Sequence, residues 1–128
     1  MKPTHKTKMS AGADVSANET VTIYPGKTAL VGTGCKLEEK HNLSGFVFML
    51  FIRSSLAFKR GLALANGVGV IDADYKDEIK VMLTNHSLTP VTINKGERIA
   101  QIVAMSYYPG FFDVEDTERS GGIGSTGE

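Results

Sequence analysis

Gly45-Phe46-Val47-Phe48-Met49-Leu50-Phe51-Ile52-Arg53-Ser54-Ser55-Leu56-Ala57-Phe58-Lys59-Arg60-Gly61 is the stretch that decides the fold. Its run from Phe46 to Ile52 is nearly continuous in apolar character, which predicts a central strand buried on both faces. Residues 55–60 form the only segment that reads as a helix, and Gly61 stands where a left-handed residue would stop it. Outward from this pair, the chain is a series of short β-like runs: residues 20–24, 27–31, 34–37, 45–53, 68–71, 78–85, 91–94 and 98–107. Pro25-Gly26, His41-Asn42-Leu43-Ser44-Gly45, Asn85-His86-Ser87 and Asn94-Lys95-Gly96 separate them with good turn chemistry. Short strands at such spacing predict an all-β sandwich or barrel with one short helix.

A chain of 128 residues fits one domain, and its 41% hydrophobic and 22% charged residues are those of an ordinary globular protein. Fourteen basic residues balance 14 acidic ones, so no global field draws the chain to nucleic acid or an anionic membrane. Any phosphate it handles must be held by a local arrangement of donors, which favours a small nucleotide over a long polyanion. The single Cys35 excludes an intramolecular disulfide and a cysteine-rich zinc site, and reads as a packed thiol on a strand. No apolar run reaches about 18 residues and the N-terminus lacks an apolar signal core, so the expected setting is reducing and cytoplasmic. From Asp113 the chain turns polar and then glycine-rich. It is either a frayed tail or an arm that orders on a ligand.

Four places carry candidate chemistry. In Asn66-Gly67-Val68-Gly69-Val70-Ile71-Asp72-Ala73-Asp74-Tyr75-Lys76-Asp77-Glu78-Ile79 a strand ends in an acid, turns, and leaves again at Glu78. As a hairpin it offers backbone groups to a flat base, and Asp72 could serve as a general base. Alternatively Asp72 and Asp74 simply form the turn and Tyr75 caps it. Arg53-Ser54-Ser55 puts a guanidinium fork and two hydroxyls where a strand enters a helix, which suits an anion, or else is a capping serine beside a surface arginine. Gly96-Glu97-Arg98-Ile99-Ala100-Gln101 enters a strand and places Arg98 and Gln101 on opposite faces, one of them merely structural. The tail with Ser125 and Thr126 could wrap phosphate with backbone N–H groups, but lacks the lysine and helix of a P-loop.

None of these is specific alone; their order is. Together with Ala11-Gly12-Ala13-Asp14 they resemble the ordered motifs of the trimeric dUTPase family, from about Ser10 to Gly127. Arg53-Ser54-Ser55-Leu56-Ala57, Gly61-Leu62-Ala63-Leu64-Ala65-Asn66 with the Val70-Ile71-Asp72-Ala73-Asp74-Tyr75 segment, and Arg98-Ile99-Ala100-Gln101 are the most specific stretches.

The resemblance implies a distorted jelly-roll-like β-barrel over residues 1–112. It implies a flexible C-terminal arm over 113–128 that closes on a neighbouring subunit's site in a homotrimer. It also implies hydrolysis of dUTP to dUMP and pyrophosphate with Mg²⁺ held by the triphosphate and water rather than directly by the protein. On that reading Asp72 orients the attacking water and Tyr75 packs on the deoxyribose. Backbone groups of Gly69, Val70, Ile71 and Ile79, helped by Asn66, read uracil. Arg53, Ser54, Ser55 and Gln101 hold phosphates; Arg119, Ile123, Gly124, Ser125 and Thr126 close the site. Asp14 supports the metal–water shell.

The chain departs from the family pattern in places. Ile123 stands where a phenylalanine usually stacks on the base, which implies weaker substrate binding by a ring–ring contribution of about 0.5–1.5 kcal/mol. The Arg119 to Gly121-Gly122 spacing is short, Asp77 replaces a glycine, and Ile52 stands where proline is common. Residues 1–9 lack the apolar strand that usually opens the fold. Two rivals remain at this level. A dCTP deaminase would need a glutamate about where Met82 stands, and methionine moves no protons. A nucleotide-dependent regulatory protein would bind a protein partner, for which Lys59-Arg60 is a basic patch if it is not simply a solvated helix end.

Overall fold

The computed structural model describes residues 2–115. Ten strands and one α-helix follow in order: β1 (Thr4–His5), β2 (Ala13–Ser16), β3 (Val21–Ile23), β4 (Thr28–Gly32), β5 (Phe46–Ile52), α1 (Ser54–Arg60), β6 (Leu62–Leu64), β7 (Gly69–Asp72), β8 (Lys80–Asn85), β9 (Val91–Ile93) and β10 (Arg98–Ser106). A single 3₁₀ turn, Glu39–His41, precedes β5. The chain is all-β and jelly-roll-like, but its sheets do not close into a ring. They are a five-stranded sheet ordered β1-β2-β10-β5-β7, a β3-β9 pair, and a three-stranded sheet ordered β4-β8-β6. All pairings are antiparallel.

The core lies between the sheets. Leu50 of β5, Ile99 and Ile102 of β10 and Ile71 of β7 meet Val81 and Leu83 of β8, Val31 of β4 and Ile93 of β9. Each such aliphatic side chain removed from water contributes roughly 1.5–3 kcal/mol. Cross-strand hydroxyl pairs stitch the outer faces: Thr22 to Thr92 at 2.9 Å and Thr28 to Thr84 at 2.7 Å. Cys35 is buried in the core, and its thiol donates to the Thr33 carbonyl at 3.6 Å.

Several expectations need correction. The run at 34–37 is not a strand: Gly34 has φ +71°, which breaks the extended chain just past β4. Thr33 Oγ1 instead donates to the Ile79 carbonyl at 2.6 Å and accepts from the Cys35 N–H at 3.1 Å. β5 is central in its sheet, but only Leu50 is fully buried; Val47, Met49 and Phe51 point to the other face and stay half-exposed. Nor is the segment around Asp72 a hairpin. β7 pairs only with β5, whereas β8 pairs with β4 and β6, so residues 73–79 cross from one sheet to another. At the N-terminus a two-residue polar stub, β1, replaces an apolar opening strand.

Asn85 is the polar pin of the core. It is fully buried, and its Nδ2 donates to the carbonyls of Ile23 at 2.8 Å and Thr89 at 2.9 Å. Its Oδ1 accepts from the Ser87 N–H at 2.8 Å and hydroxyl at 2.7 Å, so its hydrogen-bonding capacity is filled. Asn85→Ala orphans these partners and is expected to cost about 2–4 kcal/mol. Thermal unfolding at matched protein concentration checks this; an unchanged midpoint would show that water takes over the lost bonds.

Candidate active site

Two groups of predicted residues stand apart in this chain. The first lies where β2, β10 and the β5–α1 junction meet. Arg53, in extended conformation, precedes α1. Its N–H donates to the Ile99 carbonyl at 3.4 Å and its Nη1 to the Arg98 carbonyl at 3.3 Å. Ser54 and Ser55 form the first turn; neither is the cap, because Arg53 holds that position without a side-chain cap bond. Gln101 sits opposite Asp14 on one side and Phe51 on the other. A methyl group at Gly12 would come within 2.4 Å of Gln101 Oε1, so that glycine lets Gln101 lie across the β2 entry.

Strict alternation would put Arg98 and Gln101 on opposite faces, and the structure overturns this. Between Arg98 and Ala100 the register with β2 slips: Arg98 opposes Ser16, Ala100 opposes Val15 and Gln101 opposes Asp14. The bulge turns Ile99 and Ala100 both inward, where both are fully buried, and restores Arg98 and Gln101 to one face. Arg98 Nη1 then reaches the Asp14 carboxylate at 3.5 Å. Arg98 is thus the member of this cluster that sequence reasoning left unassigned; the extra residue of a bulge has no signature in an alternation pattern.

The second group surrounds Asp72 at the end of β7. The strand alternates strictly: Gly69 and Ile71 face inward, Val70 and Asp72 outward. Gly69 is required by contact, since a Cβ there would lie 2.9 Å from Leu50 Cβ. The Asp72 carbonyl accepts from the Tyr75 N–H at 3.0 Å, closing a tight turn. The Tyr75 hydroxyl donates to the Glu78 carbonyl at 2.9 Å, which fixes its half-buried ring against the core. Asn66 is exposed in the turn before β7. Ile79 is only 2% exposed, and its backbone is engaged: its N–H donates to Cys35, and its carbonyl accepts from Thr33. β7 is the edge of its sheet, so the backbone edge turned away from β5 is the one that could read a base.

Asp72 opposes Val47 at one end of β5, whereas Arg53 follows the other end. The six steps between Val47 and Arg53 span roughly 20 Å at strand rise. One chain therefore does not bring Asp72 to Arg53 and Gln101. A cavity of about 510 Å³ lies elsewhere again, between the 34–41 loop, β1 and the inner face of β5 and β10, with Phe48 and Ile102 in its wall. It includes neither group apart from Ile79. At its rim Glu38 lies below the usual carboxylate range, because Lys2 hydrogen-bonds to it and attracts it, with Lys40 adding to the attraction.

Arg119, Ile123, Gly124, Ser125 and Thr126 lie outside the described residues. Among the described residues no three His, Cys, Asp or Glu side chains converge as a metal site, and no helix is long and apolar enough to cross a membrane.

A jelly-roll-like β chain with an outward acid on an edge strand and a separate Arg–Ser–Gln cluster has the parts of a protein that binds a small phosphorylated molecule. The chain belongs to the dUTPase family, whose model matches residues 1–127. It is 44% identical to the deoxyuridine 5'-triphosphate nucleotidohydrolase of Nautilia profundicola, over 98% of this chain and 90% of that protein. It is 42% identical to the enzyme of that name from Desulfitobacterium hafniense strain DSM 10664 / DCB-2, over 98% of this chain and 86% of that protein. The crystal structure of dUTPase from Streptococcus mutans superposes with a TM-score of 0.76 at 36% identity, covering 83% of this chain and 85% of that one.

Proposed function

We propose that this chain hydrolyses dUTP to dUMP and pyrophosphate, lowering dUTP and supplying dUMP for thymidylate synthesis. The observation that carries the reading is the family match across residues 1–127, with Asp72 turned outward at the end of β7. Asp72 accepts the proton of a water directed in line at the α-phosphorus, as a carboxylate within hydrogen-bond reach can. The Tyr75 ring, held by its bond to Glu78, forms a wall against the deoxyribose that leaves no room for a 2′-hydroxyl. The open backbone edge of Gly69, Val70 and Ile71, with Asn66, reads uracil. Arg53, Ser54, Ser55 and Gln101 hold phosphates; Arg119, Ile123, Gly124, Ser125 and Thr126, in an arm over 113–128, close over them.

A divalent metal fits this donor set. Mg²⁺ keeps several waters and binds substrate phosphates, and Asp14, the acid of the Arg53–Gln101 cluster, can support its water shell without being a direct ligand. Held by the triphosphate and water, Mg²⁺ would neutralise phosphate charge. The protein's own part is to orient the nucleotide and water and to take the proton.

We further propose a homotrimer with sites shared between subunits. Two features support it: the separation of Asp72 from Arg53 along β5, and the outer face of the five-stranded sheet. On that face Val103, Met49 and Val70 form one cross-strand row and Met105, Val47 and Asp72 the next. Val70 is 63% exposed and Met105 45% in the single chain. An apolar face of this kind, edged by the proposed base, suits burial against a neighbour.

Pyrophosphate release compared across dUTP, dTTP, dCTP and UTP, with and without Mg²⁺, tests the reading. Release from dUTP alone supports it; ammonia from dCTP would overturn it in favour of deamination. As for a regulatory protein partner at Lys59-Arg60, Arg60 is engaged in an ion pair with Glu97 rather than offered to solvent.

A further inference from the structure

Helix α1 carries Ser54 and Ser55 in its first turn, and one buried side chain seats it on the core. It has seven residues, too few to be stable alone, and Leu56 is its only buried side chain. Phe58, on its outer side, is 91% exposed. One apolar knob is a pivot: it fixes where a helix sits but not how it is turned. The rotation is set by anchors at the two ends. At the start, Arg53 donates to the Ile99 and Arg98 carbonyls. At the finish, Arg60 Nη1 meets the Glu97 carboxylate at 2.6 Å and its Nη2 donates to the Thr92 carbonyl.

Glu97 is a junction rather than a surface acid. Its second carboxylate oxygen accepts from the Asn94 N–H at 3.3 Å, bracing the β9–β10 turn. Its carbonyl accepts from the Ala17 N–H at 2.9 Å, directly after the strand that carries Asp14. The next residue is Arg98, which pairs with Asp14 and whose carbonyl receives Arg53. The ion pair therefore ties the far end of α1 to the same backbone that places Arg98, Asp14 and Gln101. Both side chains are about 30% exposed, at 31% and 28%, so solvent weakens the charge attraction but not the two-pronged geometry.

We propose that Arg60 and Glu97 are positioning residues for phosphate binding: their pair locks the rotation of α1 so that Arg53, Ser54 and Ser55 face the same ligand as Gln101. This rests on the site reading given above. A small turn of α1 about Leu56 would move the Ser54 and Ser55 groups away from the phosphates, and misplacement on the ångström scale is costly to a multidentate site.

The test uses Arg60→Met, Glu97→Gln, their double variant, the conservative Arg60→Lys, and Arg53→Ala as a reference, all in the full-length chain. KM and kcat for dUTP are measured beside the inhibition constant of dUMP, which presents one phosphate instead of three. Arg60→Met and Glu97→Gln are expected to raise the KM for dUTP roughly tenfold, with a much smaller change for dUMP. The double variant should be no worse than either single one, and Arg60→Lys should recover part of the loss. Equal losses for dUTP and dUMP, or an unchanged KM for dUTP, would overturn the proposal. If Arg53→Ala spares the dUTP preference, the phosphate-site reading itself fails. If Arg53→Ala abolishes that preference while Arg60→Met and Glu97→Gln do not affect it, only the positioning role fails.

Discussion

Asp72→Asn is expected to stop pyrophosphate release while leaving the protein folded and dUTP bound. The side chain projects outward from the last residue of an edge strand, on the face away from the core. The turn behind it is closed by its carbonyl, which the substitution keeps. Asparagine has almost the same shape but accepts no proton at neutral pH, so the loss should fall on kcat. Removing a positioned general base typically costs about 10²–10⁴-fold in rate. Stability should change by no more than about 0.5 kcal/mol, as for other outward positions. Asp74→Asn is the natural comparison: it sits in the same turn, two residues on, and should leave kcat near the parent value. Pyrophosphate release, dUTP titration and a thermal midpoint on the two variants decide the matter. Full activity in Asp72→Asn, or equal losses in both variants, would remove Asp72 from the role of base.

The fold was legible wherever local chemistry determines structure. β5 with α1 stood out because an apolar run gives way to a helix stopped by Gly61, whose φ of +68° is the one expected there. The short strands β3, β9 and β8 were marked by their turns. What escaped was what depends on partners distant in the chain. β2 and β6, four and three residues long, are strands only because β10 and β8 lie beside them. The continuity of β7 into β8 suggested a hairpin, yet nothing local says that their partners lie in different sheets. The apolar outer side of β5 read as core because composition does not distinguish a face covered by the chain itself from one left for another copy.

The site was legible in its parts and not in its assembly. Asp72, Arg53 and Gln101 were all named from the sequence, but β5 holds them at opposite ends. The Arg98–Asp14 pair was invisible because a bulge at Ile99 shifts the face on which Arg98 appears. Arg60 looked like a solvated helix end, and only the packing of the β9–β10 turn supplies its carboxylate partner.

That separation along β5 leads to the second large effect. Two variants that each lose most of their activity, Asp72→Asn and Arg53→Ala, are expected to regain activity when unfolded together and refolded as mixed oligomers. If a working site takes Asp72 from one subunit and Arg53 from its neighbour, random mixing at equal amounts pairs an intact Asp72 with an intact Arg53 in about a quarter of the sites. The recovered rate should then approach about a quarter of the parent rate, far above either variant alone. Sites contained within single chains would give no recovery, because every chain in the mixture lacks one of the two groups. Mixing without unfolding is the control, since stable oligomers exchange subunits slowly and should show no gain. Sedimentation or light scattering on the mixture fixes the subunit number on which the counting depends. A recovered rate indistinguishable from the sum of the separate variants would place both groups in one subunit, and would require β5 or its neighbours to rearrange by roughly 20 Å when nucleotide binds. Antiparallel ladders on both sides of β5 resist a movement of that size, which is why a site shared between subunits is the simpler account.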